Sequence, residues 1–171
     1  MPGSPSHLIR RFFDVLLSRP LDQAERAAIE EWLDSRQSEI FFSQPHSDQR
    51  HGYHAALVVL SAADADVSTL RAALLHDVGK RHSGLGVVGR SVISVLIGVG
   101  LPLPKRGRLY RDHGEIAARE LDEIGCEALV VDFARHHHGG RPDGIPLPIW
   151  ELLQRADEPP KTKETVRARI S

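Results

Sequence analysis

Apolar positions along the chain recur three and four residues apart in short stretches, each bounded by proline, glycine or a capping residue. That spacing marks one face of a helix, whereas strict alternation would mark a half-buried strand. Leu8–Leu17 predicts a short apolar helix. Pro20 opens a second one, with Leu21, Ala24, Ala27, Ala28 and Trp32 at helical spacing and Asp22 and Glu25 in its first turn. Phe41-Phe42-Ser43-Gln44-Pro45 closes it. Ser47 or Asp48 is placed to cap a third helix running to about Ala62. Ser68, with Asp66 nearby, precedes Leu70, Ala73, Leu74 and Asp77 in a fourth, for which Gly79 is the expected stop. Gly84–Gly89 leads into an uncharged helix closed by Pro102 and Pro104. Leu109–Ile124 ends at Gly125, and Glu127–His137 ends at Gly139-Gly140. Pro148–Asp157 runs up to Pro159-Pro160, after which a charged C-terminal helix is predicted. Val58-Val59-Leu60 and Leu129-Val130-Val131 have strand-like composition, yet both sit inside longer helical patterns. The expected fold is all-α, a bundle of seven to nine helices.

Composition narrows the function classes. A length of 171 residues suits one domain. The single cysteine, Cys126, forms no internal disulfide, which excludes a disulfide scaffold and points to a reducing, cytoplasmic setting. The 22 Lys and Arg against 23 Asp and Glu leave a formal charge of −1, which argues against bulk nucleic-acid binding. Arg10 and Arg11 are followed only by Phe12-Phe13 before Asp14 interrupts, so no secretory apolar core follows. The uncharged run Ser91–Pro104 is too short for a transmembrane segment, which needs about 20 residues. It reads as a buried helix, with a self-association or membrane-surface face as the alternative.

Histidine is the unusual residue: ten are present, against five Phe and two Tyr. His51 and His54 lie early on the third helix, and His76-Asp77 close the fourth. His113 begins a long helix, His136-His137-His138 end the next, and Asp157 ends the last before the double proline. Imidazole nitrogen and carboxylate oxygen together suit Zn, Mn, Fe, Co or Ni rather than Ca or Mg. Adjacent helical residues point about 100° apart, so three consecutive histidines cannot all converge. One or two of His136–His138 are expected in a site and the rest on the surface.

The order His51…His76-Asp77…Asp157 resembles the defining pattern of the HD superfamily of metal-dependent phosphohydrolases. Leu74-Leu75-His76-Asp77-Val78-Gly79-Lys80 is similar to its Leu-His-Asp-(Ile/Val)-Gly-Lys segment. His113-Gly114 before an alanine-rich helix resembles the extra histidine of binuclear members. His137 before Gly140-Arg141-Pro142 resembles the His-Thr-Thr-Gly-Arg-Pro segment of the bacterial symmetrical diadenosine tetraphosphate hydrolases, and Ala156-Asp157 their Ala-Asp. A second branch, the HD-GYP cyclic-dinucleotide phosphodiesterases, is similar through His137-His138…Asp143-Gly144-Ile145-Pro146. There Gly139 replaces a Glu, and the Gly-Tyr before the proline is missing.

The resemblance implies a compact HD-domain helical bundle over residues 48–171, with residues 1–47 as an N-terminal helical extension packed on it. It implies two divalent transition-metal ions. His51, His76, Asp77 and Asp157 would hold one, and Asp77, bridging, with His113 and His137 would hold the other. His51 is preferred to His54 because it lies farther before His76, and Arg50 would then sit beside the site. Asp77 and Lys80 would carry the catalysis. Lys80, one turn after His76, and Arg141 would face substrate phosphate, although Lys80 also reads as a solvated helix terminus. Lys105, Arg106, Arg108 and Arg111 would guide a polyanion or form a solvated loop. The implied activity is hydrolysis of a nucleotide or dinucleoside polyphosphate. A cyclic-dinucleotide phosphodiesterase and a non-catalytic nucleotide or metal sensor are the alternatives. The implied partner is a small phosphate-bearing molecule, with a homodimer left open.

Overall fold

The computed structural model describes residues 19–63 and 66–158. The helices expected at Leu8–Leu17 and beyond Pro159-Pro160 lie outside the described residues. Within them the fold is all-α, without strands. Nine α-helices occur: α1 (Gln23–Trp32), α2 (Ser35–Phe42), α3 (His46–Leu60), α4 (Val67–Leu75), α5 (Val87–Gly98), α6 (Lys105–Arg111), α7 (His113–Glu123), α8 (Ala128–His136) and α9 (Leu147–Asp157). One 3₁₀ segment, Val78–Ser83, lies between α4 and α5. The core gathers Ile29 and Phe41 from α1 and α2, Val59 from α3, Leu74 and Leu75 from α4, and Leu121, Phe133 and Leu153 from α7, α8 and α9.

The segment from Pro20 to Pro45 is two helices rather than one. Leu33 is extended, and Asp34 starts a new helix by accepting the backbone N–H groups of Arg36 and Gln37. Both helices begin with a capping box, Asp22 with Glu25 and Asp34 with Gln37, each satisfying orphan N–H groups reciprocally. Two competent caps twelve residues apart are enough to divide an apolar run.

The third helix starts at His46 behind Pro45, so neither Ser47 nor Asp48 caps it. Asp48 is buried and grips Arg90 of α5 through both carboxylate oxygens, at 2.6 and 2.7 Å. Paired and bidentate, the two charges can be carried below the surface.

Around His76 the chain leaves regular helix earlier than expected. α4 ends at Leu75, His76 is its cap, and Asp77 sits at φ −99°, ψ 1°, the sparsely populated bridge region. The 3₁₀ segment follows, and Gly84 stops it in the left-handed conformation at φ 57°. Gly79 is therefore not the stop. A Cβ at Gly79 would lie 2.1 Å from the carbonyl oxygen of His113, so glycine there lets the 3₁₀ segment press on the start of α7. That contact brings Asp77 and His113 together.

The expected helix Leu109–Ile124 is also two, with a break at Asp112 that leaves His113 at the first turn of α7. Gly125, at φ 81°, ends α7 as expected. The helix expected to be uncharged and buried, α5, carries Arg90 near its start and is not buried. Only Ile93 is, held against Gly107 of α6, while the rest of the helix runs over the surface. Its fourteen-residue apolar run cannot indicate which side a core lies on, and the packing partners it would need lie on one flank only. Among the described residues no helix is long and apolar enough to cross a membrane.

Candidate metal centre

Five helices converge on Asp77, four of them at an end. His51 comes from α3, His76 and Asp77 from the end of α4, His113 from the start of α7, His137 from the end of α8 and Asp157 from the end of α9. Close backbone approach makes this possible. A Cβ at Gly52 would lie 2.9 Å from the Leu74 carbonyl oxygen, and one at Gly114 would lie 2.8 Å from that of Ala134. The glycines that follow His51 and His113 thus allow α3 to meet α4 and α7 to meet α8.

The side chains form two groups that share one carboxylate. His51, His76, Asp77 and Asp157 place four donor atoms within 4.8 Å of one another, and Asp77, His113, His137 and His138 do the same. Asp77 divides its oxygens between them. Oδ2 is 3.5 Å from His76 Nε2 and 3.8 Å from His51 Nε2, whereas Oδ1 is 3.2 Å from His113 Nε2 and 3.4 Å from His137 Nε2. Asp157 Oδ1 completes the first group at 2.9 Å from His51 and 3.1 Å from His76. Two atoms each ~2.1 Å from one ion at a tetrahedral angle lie about 3.4 Å apart, so these spacings suit a shared cation.

The hydrogen bonds fix which nitrogens face inward. His76 Nδ1 lies 3.0 Å from the Ala73 carbonyl, His113 Nδ1 2.7 Å from that of Tyr110, and His137 Nδ1 2.8 Å from that of Ala134. A carbonyl only accepts, so each Nδ1 carries its hydrogen; the neutral rings of His113 and His137 then present a bare Nε2 lone pair, whereas His76 without a metal also carries a proton on Nε2, toward Asp157. The Nε2 atoms of His113 and His137 then face each other at 3.3 Å, acceptor against acceptor. Asp77 Oδ1 between them is buried without a hydrogen-bond partner. Three lone-pair donors turned on one another with no proton between them call for a cation. His and carboxylate donors of this kind suit a divalent transition metal, and backbone-anchored imidazoles are how such ligands are usually oriented.

Charge follows the same division. Burial disfavours the charged form of His76, but the Asp77 and Asp157 carboxylates outweigh it and push its pKa up to about 9. Burial raises Asp157, yet the His76 cation and the bonds from His51 and His76 hold it well below the usual carboxylate range. For Asp77 burial is likewise overcome, chiefly by the Lys80 ammonium and by His76. In the second group burial dominates. It lowers His137, and with His137 and His113 as neighbours it takes His138 down to about 3, leaving neutral imidazoles ready to ligate.

The six ligands proposed from the sequence all lie in these two groups, and Lys80 Nζ pairs with Asp77 Oδ2 across one 3₁₀ turn. His54 is exposed on α3 and lies in neither group. Arg50 points away, to Glu25 and the Arg19 and Pro20 carbonyls. Arg141 is exposed and donates to the Ile145 carbonyl at 2.7 Å, closing the loop before α9 rather than joining either group. Two of the three consecutive histidines, His137 and His138, join the second group, the upper end of the one or two expected. The 100° spacing holds only inside a helix, and α8 ends at His136, so the turn at His137-His138 swings the second ring back beside the first, with ring centroids 4.0 Å apart. A cleft of about 480 Å³ touches both groups through Asp157 and His138, with Trp150, Gln154 and Arg155 on its walls.

In comparisons with known proteins, no family model matches the chain, and no curated protein or solved structure matches it either. The buried His and Asp groups, able to hold metal ions, are therefore the observation from which function has to be argued.

Proposed function

We propose that this chain is a binuclear metal-dependent phosphohydrolase acting on a nucleotide or dinucleoside polyphosphate. The observation that carries the reading is the Asp77 carboxylate, which turns one oxygen to each of two ligand groups. A single structural ion would not require a shared carboxylate. When bound, two divalent ions would supply charge neutralisation at phosphorus and a water whose pKa falls toward roughly 7.

The chain's own residues have distinct tasks in this reading. His76, His113 and His137 are held in register by their Nδ1 bonds to backbone carbonyls, so their rings need no reorganisation. Asp77 keeps the two groups at a fixed separation. Lys80, held by Asp77, keeps an ammonium beside the groups, where it can donate to a phosphate oxygen. The cleft at Asp157 and His138 is the open side from which a substrate would approach.

The presence of both His137 and His138 in the second group favours one further reading, a cyclic-dinucleotide phosphodiesterase. The test is phosphate release and product analysis on dinucleoside polyphosphates, nucleotides and cyclic dinucleotides. The protein is supplied with Mn, Fe, Co or Ni, and metal content is measured on the same preparation. Two ions per chain with turnover of a polyphosphate is the expected result. Turnover confined to cyclic dinucleotides would transfer the assignment to the second reading. Two ions without turnover of any of them would leave a metal or nucleotide sensor.

A further inference from the structure

The apolar segment that escapes the core has a surface of its own. Val88, Val92 and Val95 of α5 and Val99 at its C-cap follow one another at i, i+4, i+7 and i+11, a single stripe apart from buried Ile93. All four are 53–63% exposed, and Leu101 continues the stripe beyond the helix at 52%. Monomeric proteins seldom expose contiguous apolar patches beyond a few hundred Å², and such patches mark contact sites.

A second, independent feature adjoins the stripe. Residues 78–111 contain seven Lys and Arg and no Asp or Glu. Four of the seven are neutralised by carboxylates outside that stretch: Lys80 by Asp77, Arg81 by Glu120, Arg90 by Asp48 and Arg111 by Asp112. Lys105, Arg106 and Arg108 make no ion pair among the described residues, and all three are exposed. They lie on α6, immediately after the apolar segment. α6 packs on α5 through Gly107 and Ile93, and Arg108 donates to the Leu103 carbonyl at 2.8 Å. Apolar stripe and free cations thus belong to one packed unit.

We propose that α5 and α6 form a docking surface for an anionic lipid bilayer. The twelve residues of α5 span about 18 Å, short of the ~30 Å hydrocarbon core, so the helix lies in the interface with its valine stripe toward the acyl chains. Lys105, Arg106 and Arg108 meet the anionic headgroups beside it. A second copy of the chain fits less well. One helix stripe is smaller than the ~800 Å² per partner of a stable dimer, and pairing it leaves the three cations without a role.

The test is co-sedimentation of the full chain with vesicles of phosphatidylcholine alone and of phosphatidylcholine with phosphatidylserine, at low and at high salt. Binding is expected to the anionic vesicles only and to weaken with salt. The double substitution Val92→Asp/Val95→Asp should abolish it. Lys105→Gln/Arg106→Gln/Arg108→Gln should weaken it about 100-fold, from roughly five-fold per lost cation. These side chains are exposed, so both variants should keep the wild-type circular dichroism and melting temperature. No binding by the wild type overturns the proposal. So does binding that survives Val92→Asp/Val95→Asp, or a dimer by sedimentation equilibrium that this variant dissociates while vesicles leave it unbound.

Discussion

Replacement of Asp77 by alanine is the sharpest probe of the bridged arrangement. Asp77 is the only residue shared by the two ligand groups, with Oδ2 at 3.5 Å from His76 Nε2 and Oδ1 at 3.2 Å from His113 Nε2. Its removal deletes an anionic donor from each ion position at once. It also leaves the half-buried Lys80 ammonium and the His76 cation without their common partner. Hydroxide-generating metals supply several kcal/mol of barrier reduction. Losing about 4 kcal/mol of that corresponds to 10³-fold in kcat, at 1.36 kcal/mol per tenfold. Asp77→Ala should therefore lose on the order of 10³-fold or more in kcat and bind at most one ion tightly. Lys80→Ala removes one charge-assisted contact of ~1.5–3 kcal/mol and should lose only about 10–100-fold. The assay is phosphate release under saturating metal, with metal content and circular dichroism on each variant. Wild-type turnover by Asp77→Ala with native helicity would refute the assignment of the site.

Other consequences follow from the same geometry. In chelator-stripped protein His76 is raised to about 9, so its stabilising proton is fully present below the ordinary histidine value of about 6.5 and is lost as pH climbs through 9. The melting temperature of the stripped protein should fall between pH 6.5 and 9.5; a flat profile would contradict the His76–Asp157 pair. Because a metal must displace that proton, apparent metal affinity over the same range should rise with pH, with proton release measurable by calorimetry in buffers of different ionisation enthalpy. His51→Ala, His137→Ala and His138→Ala should each lower metal content, whereas His54→Ala and His136→Ala should not; loss on His54→Ala with retention on His51→Ala would reverse the placement of α3. Gly79→Ala forces a methyl group to 2.1 Å from the His113 carbonyl, against backbone that cannot give locally. It should destabilise by about 1–3 kcal/mol or more and lower metal affinity through His113, measured by denaturant unfolding and metal titration.

Much of the scaffold was legible because its signals are local. Helix ends depend on close neighbours, so Gly125 could be read as a stop, and the starts of α1 and α4 could be read to within about two residues, although Asp22 caps α1 rather than lying in its first turn and Asp66, not Ser68, caps α4. The all-α class followed from spacing alone. The types of donor atom were legible too, since His51, His76, Asp77, His113, His137 and Asp157 are chemically marked wherever they fall in the fold.

The tertiary structure decided what depends on residues far apart in the chain. Hydropathy records that Ser91–Pro104 is apolar, but exposure depends on whether another element covers it; among the described residues α6 packs along one flank through Gly107, and the Val stripe stays exposed. Asp48 looked like a cap because its own neighbours permit one; Arg90, 42 residues away, claimed the carboxylate instead. His138 enters the second group because α8 stops at His136, one residue short of the expected end, and the chain bends back, which frees the ring from helical spacing. Gly79 reads as a helix stop from its neighbours alone, yet its missing side chain is the space in which the His113 backbone sits. Capping and periodicity act within about four residues and can be read from a string. Covering a face, pairing a buried charge and turning three imidazole lone pairs onto one carboxylate require surfaces that meet only when the chain is folded.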